Sequence, residues 1–230
     1  MTTFKDIGIS KPYIKALKEL NIINPTEIQA AVIPILLEAE TDLIGLAQTG
    51  TGKTAAFGLP LLHSIDKNKN EVQALIIAPT RELVQQIQKQ LFKFTKYIDG
   101  KIFAEGVYGG EKMDVQMRAL NRTTHIVVAT PGRLLDLVER GAVDISNVKT
   151  LVLDEADEML SMGFKEDLNK ILKYNTSNRK TWLFSATMPQ DIKSMIKNYM
   201  DPNAARVEVN KNALVNENIS HHYVQTNIKD

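Results

Sequence analysis

The chain has 230 residues with a hydrophobic fraction of 43%, enough to bury one sizeable core. A charged fraction of 24% and a formal net charge of +1 exclude a generally basic nucleic-acid-coating protein, so any contact to an anion must come from a local site. The absence of cysteine removes disulfides, thiolate metal sites and a cysteine nucleophile.

Met1 to Asp6 carry no apolar run of the kind that opens a signal peptide. The richest apolar region, Ala30 to Ala47, is broken by Pro34, Glu38, Glu40 and Asp42, which no bilayer-spanning helix would carry. A cytoplasmic protein is the expectation.

Short apolar runs without alternation recur at Leu43 to Ala47, Ala74 to Ala78, Ile126 to Ala129, Thr150 to Leu153 and Thr181 to Phe184. Continuous hydrophobicity is the pattern of strands buried on both faces of a parallel sheet. Between them lie helical stretches, among them Arg81 to Phe94, Pro131 to Arg140, Glu166 to Tyr174 and Asp191 to Met200. Strand followed by helix, repeated, predicts an α/β fold: an open, mostly parallel sheet with helices on both faces. Ligands of such sheets bind beyond the carboxyl ends of the strands. The segments Thr49 to Thr54, Pro79 to Glu82, Thr130 to Arg133, Asp154 to Asp157 and Ser185 to Thr187 each follow a predicted strand. Lys67 to Glu71 reads as a solvated loop, and residues 1–210 as the compact domain. Residues 211–230 read as linker, with Ile219 to Thr226 as one further strand.

In Ala47-Gln-Thr-Gly-Thr-Gly-Lys-Thr54 the glycines at 50 and 52 let main-chain N–H groups converge on phosphate oxygens. A helix starting near Lys53 adds the positive end of its dipole. Lys53 is expected to neutralise β and γ phosphates, and the Thr54 hydroxyl to sit on Mg²⁺. The general form of such a loop begins with glycine where this chain has Ala47, so the match is to a variant. Leu151-Val-Leu-Asp-Glu-Ala-Asp157 is an apolar strand ending in three carboxylates. Beside the loop, Asp154 would serve Mg²⁺, directly or through water, and Glu155 would orient or deprotonate an attacking water. The competing account is a solvated acidic helix start.

Asp154-Glu-Ala-Asp157 spells the motif of the DEAD-box RNA helicases, and the chain resembles that family's first, RecA-like domain over nearly its whole length. The other motifs come in family order: the variant phosphate loop, Pro79-Thr-Arg-Glu-Leu83, Gly109-Gly110, Thr130-Pro-Gly-Arg133 and Ser185-Ala-Thr187. Upstream, Pro25-Thr-Glu-Ile-Gln29 looks like the adenine-reading Q motif, with Phe4 at the place of its isolated aromatic. The chain departs at Asn21 and Ile22, where the family usually has Gly then Phe, and at Val84, where Ala is common. None of these removes a functional group.

The resemblance implies ATP and Mg²⁺ as ligands. Phe4, Thr26, Gln29, Gln48, Thr49, Gly50, Thr51, Gly52, Lys53 and Thr54 would form the ATP site, with Thr54 and Asp154 on the metal. Lys53, Asp154, Glu155, Asp157, Ser185 and Thr187 would form the catalytic set, Ser185 and Thr187 bonding Asp157 to couple ATP to RNA. Pro79, Thr80, Arg81, Gly110, Thr130, Pro131, Gly132 and Arg133 would contact the RNA backbone without reading sequence. Bland readings stand beside these. Thr26 and Gln29 also spell a capping box, a role that can coexist with adenine binding. Phe4 can be a packing anchor, Arg81 can pair with Glu82, Thr130-Pro-Gly can be a turn, and Ser185 to Thr187 can cap a helix. His63, His125, His221 and His222 have no metal-ligand spacing and read as structural or solvated.

Only 43 residues follow Thr187, too few for the family's second domain with its arginines. The expectation is a monomeric chain that binds nucleotide modestly and RNA weakly and scarcely hydrolyses ATP. RNA helicase and ATP hydrolase activity would then require a second RecA-like domain in cis. Two rivals remain: a related translocase acting on DNA, and a nucleotide-gated scaffold without turnover.

Overall fold

The computed structural model describes residues 2–174 and 179–209. The chain opens with α1 (Lys11–Glu19) and α2 (Glu27–Glu38). It then alternates through β1 (Leu43–Leu46), α3 (Lys53–Ser64), β2 (Ala74–Ile77), α4 (Arg81–Phe94), β3 (Ala104–Val107), α5 (Met113–Leu120), β4 (Ile126–Ala129) and α6 (Pro131–Glu139). The remainder is β5 (Thr150–Leu153), α7 (Ala156–Ser161), α8 (Lys165–Lys173), β6 (Lys180–Ser185), α9 (Gln190–Tyr199) and β7 (Ala205–Glu208).

The strands form one sheet in the order β3-β4-β2-β5-β6-β1-β7, with every pairing parallel. The inner strands β1, β2, β4 and β5 are buried at every residue. Successive side chains alternate between the two faces. Leu43, Ile76, Val128, Val152 and Phe184 therefore join one core with Val32 of α2, Phe57 of α3 and Ile87 of α4. Ile44, Ile77, Val127, Leu151 and Leu183 join the other with Leu134 of α6, Leu168 of α8 and Ile192 of α9. Covering both faces is what makes unbroken apolar runs stable as strands. The α/β expectation holds, and the five expected strands and four expected helices sit within a residue or two of where they were placed.

Two strands were not anticipated. β3 is Ala104-Glu-Gly-Val107 and β7 is Ala205-Arg-Val-Glu208, the two outermost strands. Each is covered less than the inner strands, and polar residues or glycine interrupt the apolar ones, so no run appears. The strand expected at Ile219 to Thr226 and the linker at 211–230 lie outside the described residues.

Local chemistry sets the helix starts that matter at the sheet's carboxyl end. Thr80 caps α4, its hydroxyl accepting from the Leu83 amide at 3.2 Å. Pro131 opens α6, where its missing N–H costs nothing. Gly52, in the left-handed region at φ 92°, precedes α3.

Close packing makes β1 intolerant of added bulk. A Cβ on Gly45 would lie 2.7 and 2.8 Å from ring atoms of Phe184, which is fully buried and packs against Phe57 at 5.3 Å between centroids. Gly45→Ala is expected to cost about 1–3 kcal/mol through overpacking, read as a lowered thermal midpoint; an unchanged midpoint would contradict this packing.

Candidate functional site

The predicted site residues gather along one rim of the sheet, at the carboxyl ends of the strands. Strand order divides them. The phosphate loop follows β1, Ser185 to Thr187 follow β6, and Asp154 to Asp157 follow β5, and these strands are consecutive in the sheet. Pro79 to Arg81 follow β2, Thr130 to Arg133 follow β4, and Gly110 follows β3, which form the other half. The strand ending in Asp154 is not adjacent to the loop strand: β6 lies between them, so Ser185 to Thr187 stand between loop and carboxylates.

The loop leaves β1 with the Ala47 amide donating to the Ser185 carbonyl at 3.0 Å. Gln48, Thr49 and Gly50 are exposed, and Thr51 closes the turn by donating its hydroxyl to the Gln48 carbonyl at 2.8 Å. Gly50 and Gly52 both have positive φ, at 79° and 92°. Gly52 is fixed for a second reason, since a Cβ there would fall 2.4 Å from Gln29 Nε2 and 3.3 Å from Thr26 Oγ1. The Thr54 side chain is half-buried at the start of α3.

Gln29 is 2% exposed and uses both ends of its amide. Oε1 accepts from the Thr26 amide at 3.0 Å, a capping contact at the start of α2. Nε2 donates to the Gly52 carbonyl at 3.0 Å, pinning the phosphate loop to α2. The cap was legible in the sequence, but the bond to Gly52 was not, because it joins residues 23 positions apart. One N–H and one lone pair of the amide remain for another partner. Phe4 is 2% exposed within the core beside α1 and α2. A ring so enclosed presents no open face, so an adenine contact has to rest on the Thr26 and Gln29 side rather than on Phe4.

Lys53 and Asp154 set the electrostatics. Their side chains are 5% and 3% exposed, and Lys53 Nζ lies 3.9 Å from Asp154 Oδ1. That distance is short enough for Coulomb attraction and too long for a hydrogen bond. Neither atom has any hydrogen-bond partner. Burial pushes the Asp154 carboxyl up to about 6, with the Lys53 ammonium pulling it down and Glu155 adding to the rise. Two buried charged groups left unsatisfied are costly, and together they ask for an anion against the lysine and a cation against the carboxylate.

Glu155 sits in the left-handed region at φ 54°, ψ 50°, and Asn21 is the one other non-glycine with positive φ among the described residues. Such a conformation costs about 1–3 kcal/mol and persists where its surroundings impose it. Asp157 is tied to β6's exit. Its Oδ2 accepts from the Thr187 amide at 2.9 Å and from the Thr187 hydroxyl at 2.7 Å. Burial raises the Asp157 carboxyl, but Thr187 and Ser185 outweigh it and hold the group below its ordinary value. The Thr187–Asp157 bond that the resemblance implies is thus present. The Ser185 hydroxyl donates instead to the Thr187 carbonyl at 2.8 Å, clasping the same turn from within.

On the other half of the rim, Pro79 is buried and Thr80 half-buried at the start of α4. Arg81 is exposed and lies over the Tyr108 ring at 5.0 Å, rather than paired with Glu82. Gly110 is exposed with φ 82°, and a Cβ on it would sit 3.5 Å from Arg81 Nη1. Thr130 precedes α6, its amide donating to the Val107 carbonyl at 3.0 Å while its hydroxyl makes no cap bond. Pro131 is buried, and Gly132 and Arg133 are half-buried. Tyr108 carried no sequence signal beyond its place next to Gly109.

The described histidines are structural. His63 bonds the Leu59 carbonyl and packs on Tyr13, and His125 is fully buried, accepting from the Phe103 amide at 3.0 Å. His221 and His222 lie outside the described residues. Among the described residues no group of three or more His, Asp or Glu could hold a metal ion. Mg²⁺ needs no such cage, since it takes one or two carboxylates together with substrate phosphates. No described helix is long and apolar enough to cross a membrane.

Residues 26–195 match the family model described as DEAD/DEAH box helicase. The chain is 46% identical over 222 residues to the ATP-dependent RNA helicase DeaD of Buchnera aphidicola, covering 96% of this chain and 36% of that protein. It is 47% identical over 209 residues to the ATP-dependent RNA helicase CshA of Listeria monocytogenes, covering 90% of this chain and 40% of that protein. Among solved structures it superposes on a DEAD box protein from Methanococcus jannaschii with a TM-score of 0.87 at 37% identity, covering 93% of this chain and 57% of that one. The chain therefore spans between about a third and a half of the curated relatives it matches.

The raised Asp154 carboxyl gives a pH signature. An acid whose folded value lies above its ordinary one favours the folded state at low pH. That contribution is greatest below about pH 4 and is lost as the pH rises through about 6. Carbon-detected NMR titration of the Asp154 carboxyl, in metal- and nucleotide-free buffer, is expected to give a midpoint near 6. Lys53→Met should move it higher still. A midpoint at the ordinary carboxylate value would contradict the burial described.

Proposed function

Because the chain belongs to the DEAD/DEAH box helicase family, we propose that it is the ATP-binding domain of an ATP-dependent RNA helicase. In this reading it holds one wall of an RNA channel and hydrolyses ATP only with a second RecA-like domain. The observation that carries this reading is the pair of buried, unpartnered groups, Lys53 Nζ and Asp154 Oδ1, at the mouth of a glycine-rich loop. A triphosphate satisfies the lysine and the loop amides, and its accompanying metal ion satisfies the carboxylate.

The donor set fits that ligand. Main-chain amides of Gln48 to Thr54 and the start of α3 cradle phosphate oxygens, with Lys53 supplying the compensating charge. The Thr54 hydroxyl and the Asp154 carboxylate are hard oxygen ligands suited to Mg²⁺. When bound, that ion would neutralise charge on the β- and γ-phosphate oxygens. Gln29 offers its remaining amide N–H and lone pair to an adenine edge, and Thr26 lies beside it. Glu155 orients the attacking water or takes its proton, and its strained backbone keeps the carboxylate where the exit of β5 puts it.

Asp157 and Thr187 lock the turns after β5 and β6 together. A shift of the catalytic carboxylates is thereby transmitted to the chain that runs into α9. The other half of the rim meets RNA through Thr80, Arg81, Gly110, Thr130, Gly132 and Arg133, with Pro79 and Pro131 setting the turns. Hydroxyls, helix-start amides and arginines bind phosphates without reading bases. Residues 1–210 form the folded domain of this proposal and residues 211–230 lead toward the second domain, whose arginines would complete the site. A monomeric, cytoplasmic chain accords with the reading.

Lys53→Ala is expected to weaken ATP binding at least about tenfold by fluorescent-analogue titration, since a charge-assisted contact is lost. Retained affinity would overturn the loop assignment. In the full-length protein, Glu155→Gln should lower RNA-stimulated hydrolysis by about 100-fold or more while leaving ATP bound, as measured by phosphate release. Unchanged turnover would remove Glu155 from its role.

A further inference from the structure

The two halves of the RNA-facing rim, the Gly109-Gly110 turn after β3 and the start of α6 after β4, are joined by one buried side chain. Gln116 is 4% exposed and is the one buried residue of α5. An amphipathic helix that needed only packing at that position would present an apolar side chain. Here the amide is used at both ends. Nε2 donates to the Tyr108 carbonyl at 3.0 Å, and Oε1 accepts from Arg133 Nη1 at 2.8 Å. The same Arg133 nitrogen also donates to the Glu111 carbonyl at 3.1 Å. The hydrogens of Nη1 are thus consumed by the turn. Among the described residues the Nε and Nη2 N–H groups have no partner and are not buried, which leaves a fork of donors suited to a phosphate.

Resting on the RNA reading above, we propose that Gln116 is a positioning residue for RNA. It latches the 108–111 turn to Arg133 so that Gly110 and the arginine present a single preformed phosphate-binding surface. Arg81 is organised against the same turn from the Tyr108 side. Fixing both arginines and the glycine turn before RNA arrives removes rotamer and loop entropy from the cost of binding.

The Gln116 carboxamide donates to Tyr108 from one atom and accepts from Arg133 at the other. Glutamate keeps the arginine bond and loses the carbonyl bond, while methionine loses both. The 230-residue chain is titrated into a fluorescein-labelled ten-nucleotide oligouridylate at low salt, and a fluorescent ATP analogue is titrated in parallel. Gln116→Met is expected to weaken RNA binding about tenfold and Gln116→Glu by a smaller factor, with Arg133→Ala at least as weak as Gln116→Met. The affinity for the ATP analogue should stay within about twofold for both variants, since the one or two bonds lost lie far from that pocket. If Arg133→Ala weakens RNA binding but both Gln116 variants bind as the wild type does, the latch is overturned while the RNA reading survives. If wild type binds no RNA, or Arg133→Ala changes nothing, the RNA face itself falls and takes the latch with it. Should Gln116→Met fail to fold, Gln116→Glu decides through hydrogen exchange. Faster exchange is expected at the Val115 and Gln116 amides, which donate to the Lys112 carbonyl in the first turn of the helix that the latch anchors, and unchanged protection would refute the latch.

Discussion

A lysine and an aspartate buried side by side without a hydrogen bond are the constraint around which the domain is arranged. Lys53 Nζ and Asp154 Oδ1 stand 3.9 Å apart, nearly sealed from solvent, and among the described residues neither atom has a hydrogen-bond partner. Bare burial of both ions costs more than their mutual attraction returns. The fold tolerates it because the two extensive cores on either face of the sheet supply the stability, and in the proposed function a bound nucleotide and metal ion would offset the cost. The upward displacement of the Asp154 carboxyl is the same imbalance seen from the proton's side.

Strand order turns that constraint into a device. In β3-β4-β2-β5-β6-β1-β7, the turns proposed to face nucleotide leave neighbouring strands, and those proposed to face RNA leave the next three. β2 and β5 are direct neighbours, so the two ligands would meet along a single hydrogen-bonded seam rather than across a flexible linker. Asp157 with Thr187 ties two turns on one side, and Gln116 with Arg133 ties two turns on the other. Past the first of these, at the exit of β1, Gln29 holds the phosphate loop against α2. Each tie uses a buried or half-buried polar side chain with geometry that a neighbouring residue type would not reproduce, a pattern suited to preorganisation rather than to bulk stability.

The legibility of this protein in its sequence follows burial. Strands enclosed on both faces, such as Ala74 to Ile77 and Ile126 to Ala129, announce themselves as unbroken apolar runs. The edge strands Ala104 to Val107 and Ala205 to Glu208 are less covered, the first broken by Glu105 and Gly106 and the second alternating polar with apolar residues, and neither stands out in the sequence. Site residues followed the same logic. Lys53, Thr54, Asp154 and Glu155 were readable because phosphate and metal chemistry demands those types at fixed local spacing. Tyr108 and Gln116 were not, since an aromatic or an amide has many uses and neither spacing nor composition singled them out. Phe4 stands where the family resemblance expects an isolated aromatic, and in the folded chain its ring is core, as the packing-anchor reading has it.

The sequence by itself determined the repeated strand-helix order, the loop that invites phosphate and the acidic strand end, because each is written in contiguous residues governed by local backbone and side-chain physics. Tertiary structure alone decided that β6 lies between the loop and Asp154, that Gln29 reaches Gly52, and that Gln116 joins Tyr108 to Arg133. Those facts depend on which strands pair and which helices cover them. Such choices are made by burying apolar surface across the whole sheet, and no single segment encodes them.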